Sequence, residues 1–355
     1  MNYFQTNILK WAKIEPRLLP WKNYKDAYTI WLSEVLLQQT RVQQGLPYFY
    51  SFKKAYPTVF DMAKASEDEI LKLWQGLGYY ARARNMHFTA QIIVKDYNGV
   101  FPKNYEGLLQ LKGIGEYTAA AIASFVYNEP VAVLDGNVYR VLSRFYGIET
   151  PIDSTSGKKE FKQVAKENLV KSKAAIYNQA IMDFGALQCV PKNPNCTICP
   201  LNKKCKGLKL NMINRLPLKL KKIKKKSRYF LFAVINHKNQ KFLVKRTEKD
   251  IWQGLFQFPL IEVDEAAFLK EKDYKELVIN SFNLKKISLN RVSQTYKQVL
   301  THQKIMAKFL NITTLQKNEI PGIWKAVNEK EMLKFAFPKI IDCFLKDKVL
   351  LLNLK

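Results

Sequence analysis

Four cysteines, Cys189, Cys196, Cys199 and Cys205, fall within 17 residues, separated by gaps of six, two and five. Thiolates spaced this way can close around one metal centre. Zinc and a [4Fe–4S] cluster both accept four cysteines, so ligand type alone leaves that choice open. Two carboxylates offer a different chemistry. Glu34 shares a helical face with Trp31 and Val35 in the run Trp31-Leu-Ser-Glu34-Val. A carboxyl among bulky apolar groups tends toward its protonated form and becomes a candidate general acid. Asp135 stands between Val131-Ala-Val-Leu and Gly136-Asn137-Val-Tyr-Arg140. Taken alone, it reads as the N-cap of a helix. Finally, Gly113-Ile-Gly115 opens an Ala-rich helix. A tight turn followed by a helix N-terminus presents backbone N–H groups that suit a phosphate.

The charge balance points the same way. Lys and Arg number 58 against 30 Asp and Glu, a net charge of +28 over 355 residues. Self-repulsion of that size destabilises a compact chain, and a polyanionic partner relieves it; nucleic acid is the expected one. No apolar run reaches the ~18 residues of a spanning helix, and the start of the chain lacks the apolar core of a secretory signal. The expectation is a cytoplasmic protein, nucleoid-associated through DNA binding. In a reducing compartment the cysteine cluster reads as metal-binding rather than disulfide-bonded. Cys343, apart in an apolar stretch, reads as core.

The elements that must position these groups fall into two textures. Residues 3–188 read as successive helices. Phe4, Ile8 and Trp11 keep helical spacing, as do Trp31, Val35 and Gln38. Ser66 with Glu69 forms a capping box for a helix running toward Trp74, and Gly99 to Pro102 and Glu129-Pro130 break helices. Seven basic residues between Lys219 and Arg228, following Pro217, read as a solvated linker. Beyond it, residues 229–235 and 242–244 flank His237-Lys-Asn-Gln as a hairpin. Further strands are expected near 291–297 and 304–312, and helices near 264–282 and 329–346. The fold class expected is mainly α, in three parts: a two-lobed helical core over 1–215 holding the cysteine loop at 189–205, a basic linker at 216–228, and an α+β domain over 229–355.

All three cysteine gaps resemble the cluster loop of the endonuclease III superfamily, which implies a [4Fe–4S] cluster rather than zinc. Lys192, Lys203, Lys204 and Lys206 would give it a basic rim. Leu111-Lys-Gly113-Ile-Gly115 upstream resembles that superfamily's helix-hairpin-helix, and Asp135, about twenty residues later, stands where its catalytic aspartate does. Pro20-Trp21-Lys22, Trp31 to Val42 and Leu73-Trp-Gln-Gly-Leu77-Gly78-Tyr79-Tyr80-Ala-Arg82 resemble the MutY-type adenine glycosylases. The resemblance spans residues 17–205 closely and the C-terminal domain loosely. The superfamily's lyases carry a Schiff-base lysine just after the hairpin glycines, where this chain has Tyr117; the resemblance thus implies a monofunctional enzyme. The C-terminal part, with Trp252 to Pro259, resembles the family's Nudix-like lesion-recognition domain. It lacks the Arg-Glu pair and acids of a Nudix hydrolase. Leu300-Thr301-His302 replaces the usual Phe-Ser-His.

What the resemblance implies is an adenine DNA glycosylase of base excision repair. Acting as a monomer on double-stranded DNA, it would remove adenine opposite 8-oxoguanine or guanine after flipping the base. Glu34 would protonate the adenine and later activate water, while Asp135 would stabilise the sugar cation and Tyr117 and Asn137 would orient the two. Gln39, Thr40, Leu77 and Tyr79 would meet the gap and the partner base, Gly113 and Gly115 a phosphate, and Thr301 and His302 the lesion. The rivals are a bifunctional glycosylase/lyase for oxidised pyrimidines, a Nudix hydrolase, and a non-catalytic DNA-binding or electron-transfer protein.

Overall fold

Short polar side chains start many of the helices. Asn2, Asp26, Ser66, Asn104, Asp135 and Ser154 each accept a backbone N–H three residues on, satisfying a donor that the helix itself leaves unpaired. The capping box expected at Ser66 and Glu69 is present. In this computed structural model, which describes residues 1–220 and 225–352, the helices of the first half are α1 (Tyr3–Ile14), α2 (Ala27–Leu37), α3 (Val42–Ala55), α4 (Val59–Lys64), α5 (Glu67–Trp74), α6 (Ala81–Tyr97), α7 (Tyr105–Leu109), α8 (Glu116–Tyr127), α9 (Gly136–Tyr146), α10 (Thr155–Glu167), α11 (Ala174–Leu187) and α12 (Lys206–Lys209).

The chain divides into two compact units, Met1–Lys64 with Asn85–Lys222, and Ala65–Arg84 with Ile223–Lys355. In the first, Phe4, Ile8 and Trp11 of α1 pack against Leu142 and Phe145 of α9 and Tyr177, Ile181 and Phe184 of α11. The predicted apolar row of α1 is therefore core-facing. By contrast, α2 is buried from Ala27 to Leu36, so Glu34 lies on a helix enclosed on all its faces rather than on one.

The second unit is built on a sheet of order β3-β2-β1-β7-β5, in which β4 also pairs with β1, β6 with β7 and β8 with β2. Its strands are β1 (Lys226–His237), β2 (Gln240–Lys245), β3 (Phe256–Gln257), β4 (Leu260–Val263), β5 (Ile287–Val292), β6 (Tyr296–Val299), β7 (Gln303–Thr314) and β8 (Lys325–Val327). β1 and β2 close the expected hairpin, with His237 opposite Gln240. β1 also runs parallel to β7, from Lys226 opposite Gln303 to Asn236 opposite Thr313. Both faces of β1 are covered, which explains why Phe230–Ile235 reads as a continuous apolar run instead of an alternation.

Several expected elements differ in detail. The strand expected at 291–297 is two: β5 ends at Val292 and β6 begins at Tyr296, after a bulge between Leu289 and Arg291. The helix expected over 264–282 is α13 (Glu265–Leu269) and α14 (Tyr274–Phe282); that over 329–346 is α15 (Glu329–Met332) and α16 (Lys339–Leu352). Pro338 accounts for the second break, because proline disfavours helix at the residue before it. The basic run is not uniform either. Lys226 to Arg228 belong to β1, and the Arg228 guanidinium pairs with Asp250 at 2.8 Å and Glu262 at 2.7 Å. Residues 221–224 of the expected linker lie outside the described residues.

Residues 65–84 belong to the second unit although they precede it by some 140 positions. Lys72 Nζ donates to the Phe335 carbonyl at 2.9 Å, Gln75 Nε2 to Asp342 at 3.2 Å, and Lys245 Nζ meets Asp68 at 2.6 Å. Nothing in the sequence of α5 and its following loop announces this, because an amphipathic helix shows that it has a partner but not which one.

Candidate active site and cysteine cavity

Asp26 caps α2 through the Thr29 N–H at 2.8 Å, and the helix carries Glu34 into the interior of the first unit. α8 brings Tyr117 to it. The turn before α8 needs glycine at 113: its φ is +79°, and a Cβ there would stand 2.8 Å from the Asn85 Cβ. Gly115 then caps the helix, and two residues later the Tyr117 hydroxyl donates to Glu34 Oε2 at 2.5 Å. Burial, first of all, raises the Glu34 carboxyl from its ordinary 4.5 to about 7. The Tyr117 bond opposes this shift, and the charge of Asp135 adds to it. Burial likewise holds the Tyr117 phenol well above its usual range, so it remains a donor.

Asp135 is the N-cap of α9, as its position in the sequence suggests. Its Oδ1 accepts the Val138 N–H at 2.8 Å and its Oδ2 accepts Asn137 Nδ2 at 2.6 Å. Burial raises this carboxyl too, while both of those donors favour its anion. Asn137 is itself held, because Arg140 Nη2 donates to its Oδ1 at 2.9 Å. The same guanidinium donates through Nε to the Cys189 carbonyl at 2.7 Å and through Nη2 to the Gly185 carbonyl at 2.6 Å. α11 can come this close because position 185 is glycine; a Cβ there would stand 2.7 Å from the Asn137 Cβ.

Glu34, Tyr117, Asp135 and Asn137, drawn from a span of more than a hundred positions, line one cleft of about 500 Å³ together with Thr40. The cleft also contains residues with no role expected from local sequence: Arg17, Lys22 and Arg140, with Gln179, Met182 and Asp183 of α11. Asp183 is buried and pairs with both Lys22 and Arg17. Lys22 and Arg140 lie inside quoted motifs and could have been suspected; Asp183 has no local signal. Gln39, just after α2, is exposed and adopts a left-handed φ of +56°.

In the second unit, Leu77, Tyr79, Thr301 and His302 line a separate pocket of about 390 Å³. The Tyr79 hydroxyl and Thr301 Oγ1 are hydrogen-bonded. Tyr79 shares with Gln39 a positive φ, here +50°, in a loop where Gly76 and Gly78 are also left-handed. Non-glycine residues held in that region are uncommon and concentrate at functional sites.

The four clustered cysteines surround a small cavity in the first unit. Buried Arg144, another residue without a sequence signal, closes its floor. It donates to the Val190 carbonyl at 2.8 Å, the Pro191 carbonyl at 2.9 Å and Cys189 Sγ at 3.4 Å. Among the described residues no three Cys, His, Asp or Glu side chains converge to hold a single ion. The fold gathers four soft donors around a space, beside a guanidinium that offsets thiolate charge, and this donor set fits a [4Fe–4S] cluster. Cys343 is half-buried in α16.

No helix among the described residues is long and apolar enough to cross a membrane. Residues 32–168 match the HhH-GPD superfamily of base excision DNA repair proteins, and residues 230–347 match the NUDIX domain. A thermostable thymine-DNA glycosylase of known structure superposes with a TM-score of 0.54 at 28% identity, covering 58% of this chain and 95% of that one. Fold and site thus define a DNA N-glycosylase, a hydrolase of base excision repair. The adenine DNA glycosylase of Buchnera aphidicola subsp. Acyrthosiphon pisum is 36% identical over 97% of this chain and 98% of its own length. The human adenine DNA glycosylase is 37% identical over 58% of this chain and 39% of its own. The chain belongs to the adenine DNA glycosylase family.

Proposed function

We propose that this enzyme removes adenine opposite 8-oxoguanine or guanine in duplex DNA by a monofunctional, water-dependent route. The observation that carries the reading is the Tyr117–Glu34 hydrogen bond at 2.5 Å. It places a phenol, which forms no imine, on the carboxyl best suited to be the acid. With its pKa near 7, Glu34 is protonated in a large fraction of molecules at neutral pH. Its proton goes to N7 of the flipped adenine, the bond from the sugar C1′ to N9 breaks, and its electron pair leaves with the base. Asp135, whose anion Asn137 and the Val138 N–H favour, faces the oxocarbenium-like sugar. Water then adds at C1′ and gives its proton to the Glu34 carboxylate. Gly113 and Gly115 at the start of α8 suit a DNA phosphate. Gln39 and Thr40 act at the gap left by the flipped base. Leu77, Tyr79, Thr301 and His302 face the partner strand.

Base release from duplexes carrying A:8-oxoG, A:G or thymine glycol tests the substrate assignment; release from thymine glycol in preference to adenine would favour the lyase rival. Borohydride should trap no adduct between the wild-type protein and DNA, whereas Tyr117→Lys should gain trapping and some strand cleavage. Efficient trapping by the wild type would remove the monofunctional assignment.

Cys189, Cys196, Cys199 and Cys205 would hold a [4Fe–4S] cluster, which when bound braces the loop and carries no step of base removal. The purified protein should be brown, with about four irons per chain. Colourless protein with one zinc would overturn this assignment without touching the glycosylase chemistry.

Lesion preference is expected to depend on Thr301 and His302. At fixed salt, Thr301→Val with His302→Ala should lower the preference for A:8-oxoG over A:G, a polar base contact being worth roughly 1–3 kcal/mol of discrimination. An unchanged ratio would move discrimination to the helical core. Truncation near Lys225 is the coarser test, because α5 and its loop lose their packing partners along with the domain.

A further inference from the structure

Tyr79 combines three features that need an explanation together. The residue is 46% exposed, its hydroxyl is bonded to Thr301, and its backbone is left-handed. An exposed aromatic in an unfavourable backbone conformation swings or relaxes unless something holds it. Thr301 ties only the tip of the side chain.

The remaining restraints converge on Arg82. Its guanidinium carbon lies 5.0 Å from the centre of the Trp74 ring and 5.7 Å from that of Tyr79. Nη2 donates to the Gly78 carbonyl at 3.2 Å, an oxygen that also accepts Trp74 Nε1 at 2.9 Å. The Arg82 main-chain N–H donates to the Tyr79 carbonyl at 2.9 Å. One residue therefore fixes the peptide before Tyr79, the peptide after it and the face of its ring. Trp74 is fully buried and gives the assembly a rigid base. Burial lowers the Arg82 pKa to about 10, which leaves the cation intact at neutral pH. Arg82 is not among the residues lining the pocket that holds Tyr79, Thr301 and His302; it acts from behind.

We propose that Arg82 is the positioning residue of Tyr79 and, through Tyr79, sets the preference for the base opposite adenine. The second half rests on Tyr79 reading the partner strand, as set out above. Planarity matters: a guanidinium can lie over a ring and bond a carbonyl at once, which an ammonium does poorly.

The test uses the full-length protein and the variants Arg82→Met, Arg82→Lys, Tyr79→Ala and Arg82→Met with Tyr79→Ala. Two readouts are needed. The first is fluorine NMR of fluorotyrosine-labelled protein without DNA, with Tyr79 assigned by the resonance lost in Tyr79→Phe. Arg82→Met should shift and broaden that resonance, and Arg82→Lys should do so less. The second is the ratio of single-turnover excision rates for A:8-oxoG and A:G at fixed salt. Arg82→Met should lower it by roughly 2- to 30-fold, the range that a cation–π contact carries. In the Tyr79→Ala background the same change should do nothing further. A merely structural role would instead lower the melting temperature and slow both substrates alike, in either background. An unmoved Tyr79 resonance in Arg82→Met, or an equal loss of ratio with and without Tyr79, overturns the proposal. If Tyr79→Ala itself leaves the ratio intact, the partner-strand reading fails and takes the second half of the proposal with it, while the resonance still decides whether Arg82 positions Tyr79. Should Arg82→Met fold poorly, Arg82→Lys gives the same comparisons with smaller changes.

Discussion

Glu34→Gln should bind duplex DNA as tightly as the unaltered enzyme and release adenine about 10²–10⁴-fold more slowly, the range that a placed proton donor contributes. The amide keeps the size of the carboxyl and leaves an oxygen for the Tyr117 hydroxyl, so the cleft should keep its shape. The pH dependence has a definite sign. The acid form is needed, and it disappears as pH rises through about 7, so the excision rate should fall on that side. The Gln variant should lose that limb along with its activity. The stability that this group contributes should fall in the same direction. In the folded state Glu34 holds its proton up to about 7, and in the unfolded state only to its ordinary 4.5. The contribution of this group is therefore fully present below 4.5 and is lost as pH rises to 7 and beyond. The shift corresponds to at most ~3 kcal/mol, so Glu34→Gln should melt higher than the wild type at pH 8 and show less difference at pH 5. Near-normal excision of adenine from an A:8-oxoG duplex by this variant would remove Glu34 from its role.

Asp135→Asn should be folded and nearly inactive. This carboxylate caps α9 and is proposed to face the sugar, and the substitution separates the two. Asn caps helices about as well as Asp, so the Val138 N–H keeps its acceptor and α9 should start where it does now. What would be lost is the anion proposed to face the sugar. Removing one preorganised electrostatic partner of a transition state costs about 10²–10³ in rate, and excision should fall by at least that much. Circular dichroism and melting should stay close to wild type. Asp135→Ala should lose the same activity and, in addition, about 1 kcal/mol of stability from the missing cap. Should Asp135→Asn cut adenine normally, the residue is a cap and nothing more, and the cation must be met by another group.

Much of this was legible in the chain because the physics involved is local. A capping aspartate, a glycine pair before a helix and four cysteines at fixed gaps are short-range patterns. Asp135 caps α9, Gly113 takes a conformation that glycine favours, and the cysteines share one cavity. The element boundaries that differed lie where local pattern is ambiguous. The bulge in β5 and the break at Pro338 interrupt runs whose composition stays strand-like or helix-like throughout.

By itself, the sequence determined the helical core, the separate α+β domain and which residues could carry acid, anion and metal chemistry. The elements follow from periodicity and charge and the candidate acid and thiols from residue type and surroundings, whereas Asp135 as the anion is what the family resemblance implies. Only the tertiary structure decided which of those residues meet. It brought Tyr117 onto Glu34, ran Arg140 from Asn137 to the Cys189 carbonyl, and assigned residues 65–84 to the unit of the C-terminal sheet. It also raised the Glu34 carboxyl to about 7, because α2 is buried on every side, whereas its sequence neighbours promised one apolar face. A pattern in the chain records what a side chain is and which way its element turns. Desolvation and hydrogen bonding depend on what packs against it from elsewhere in the chain, and no spacing of residues encodes that.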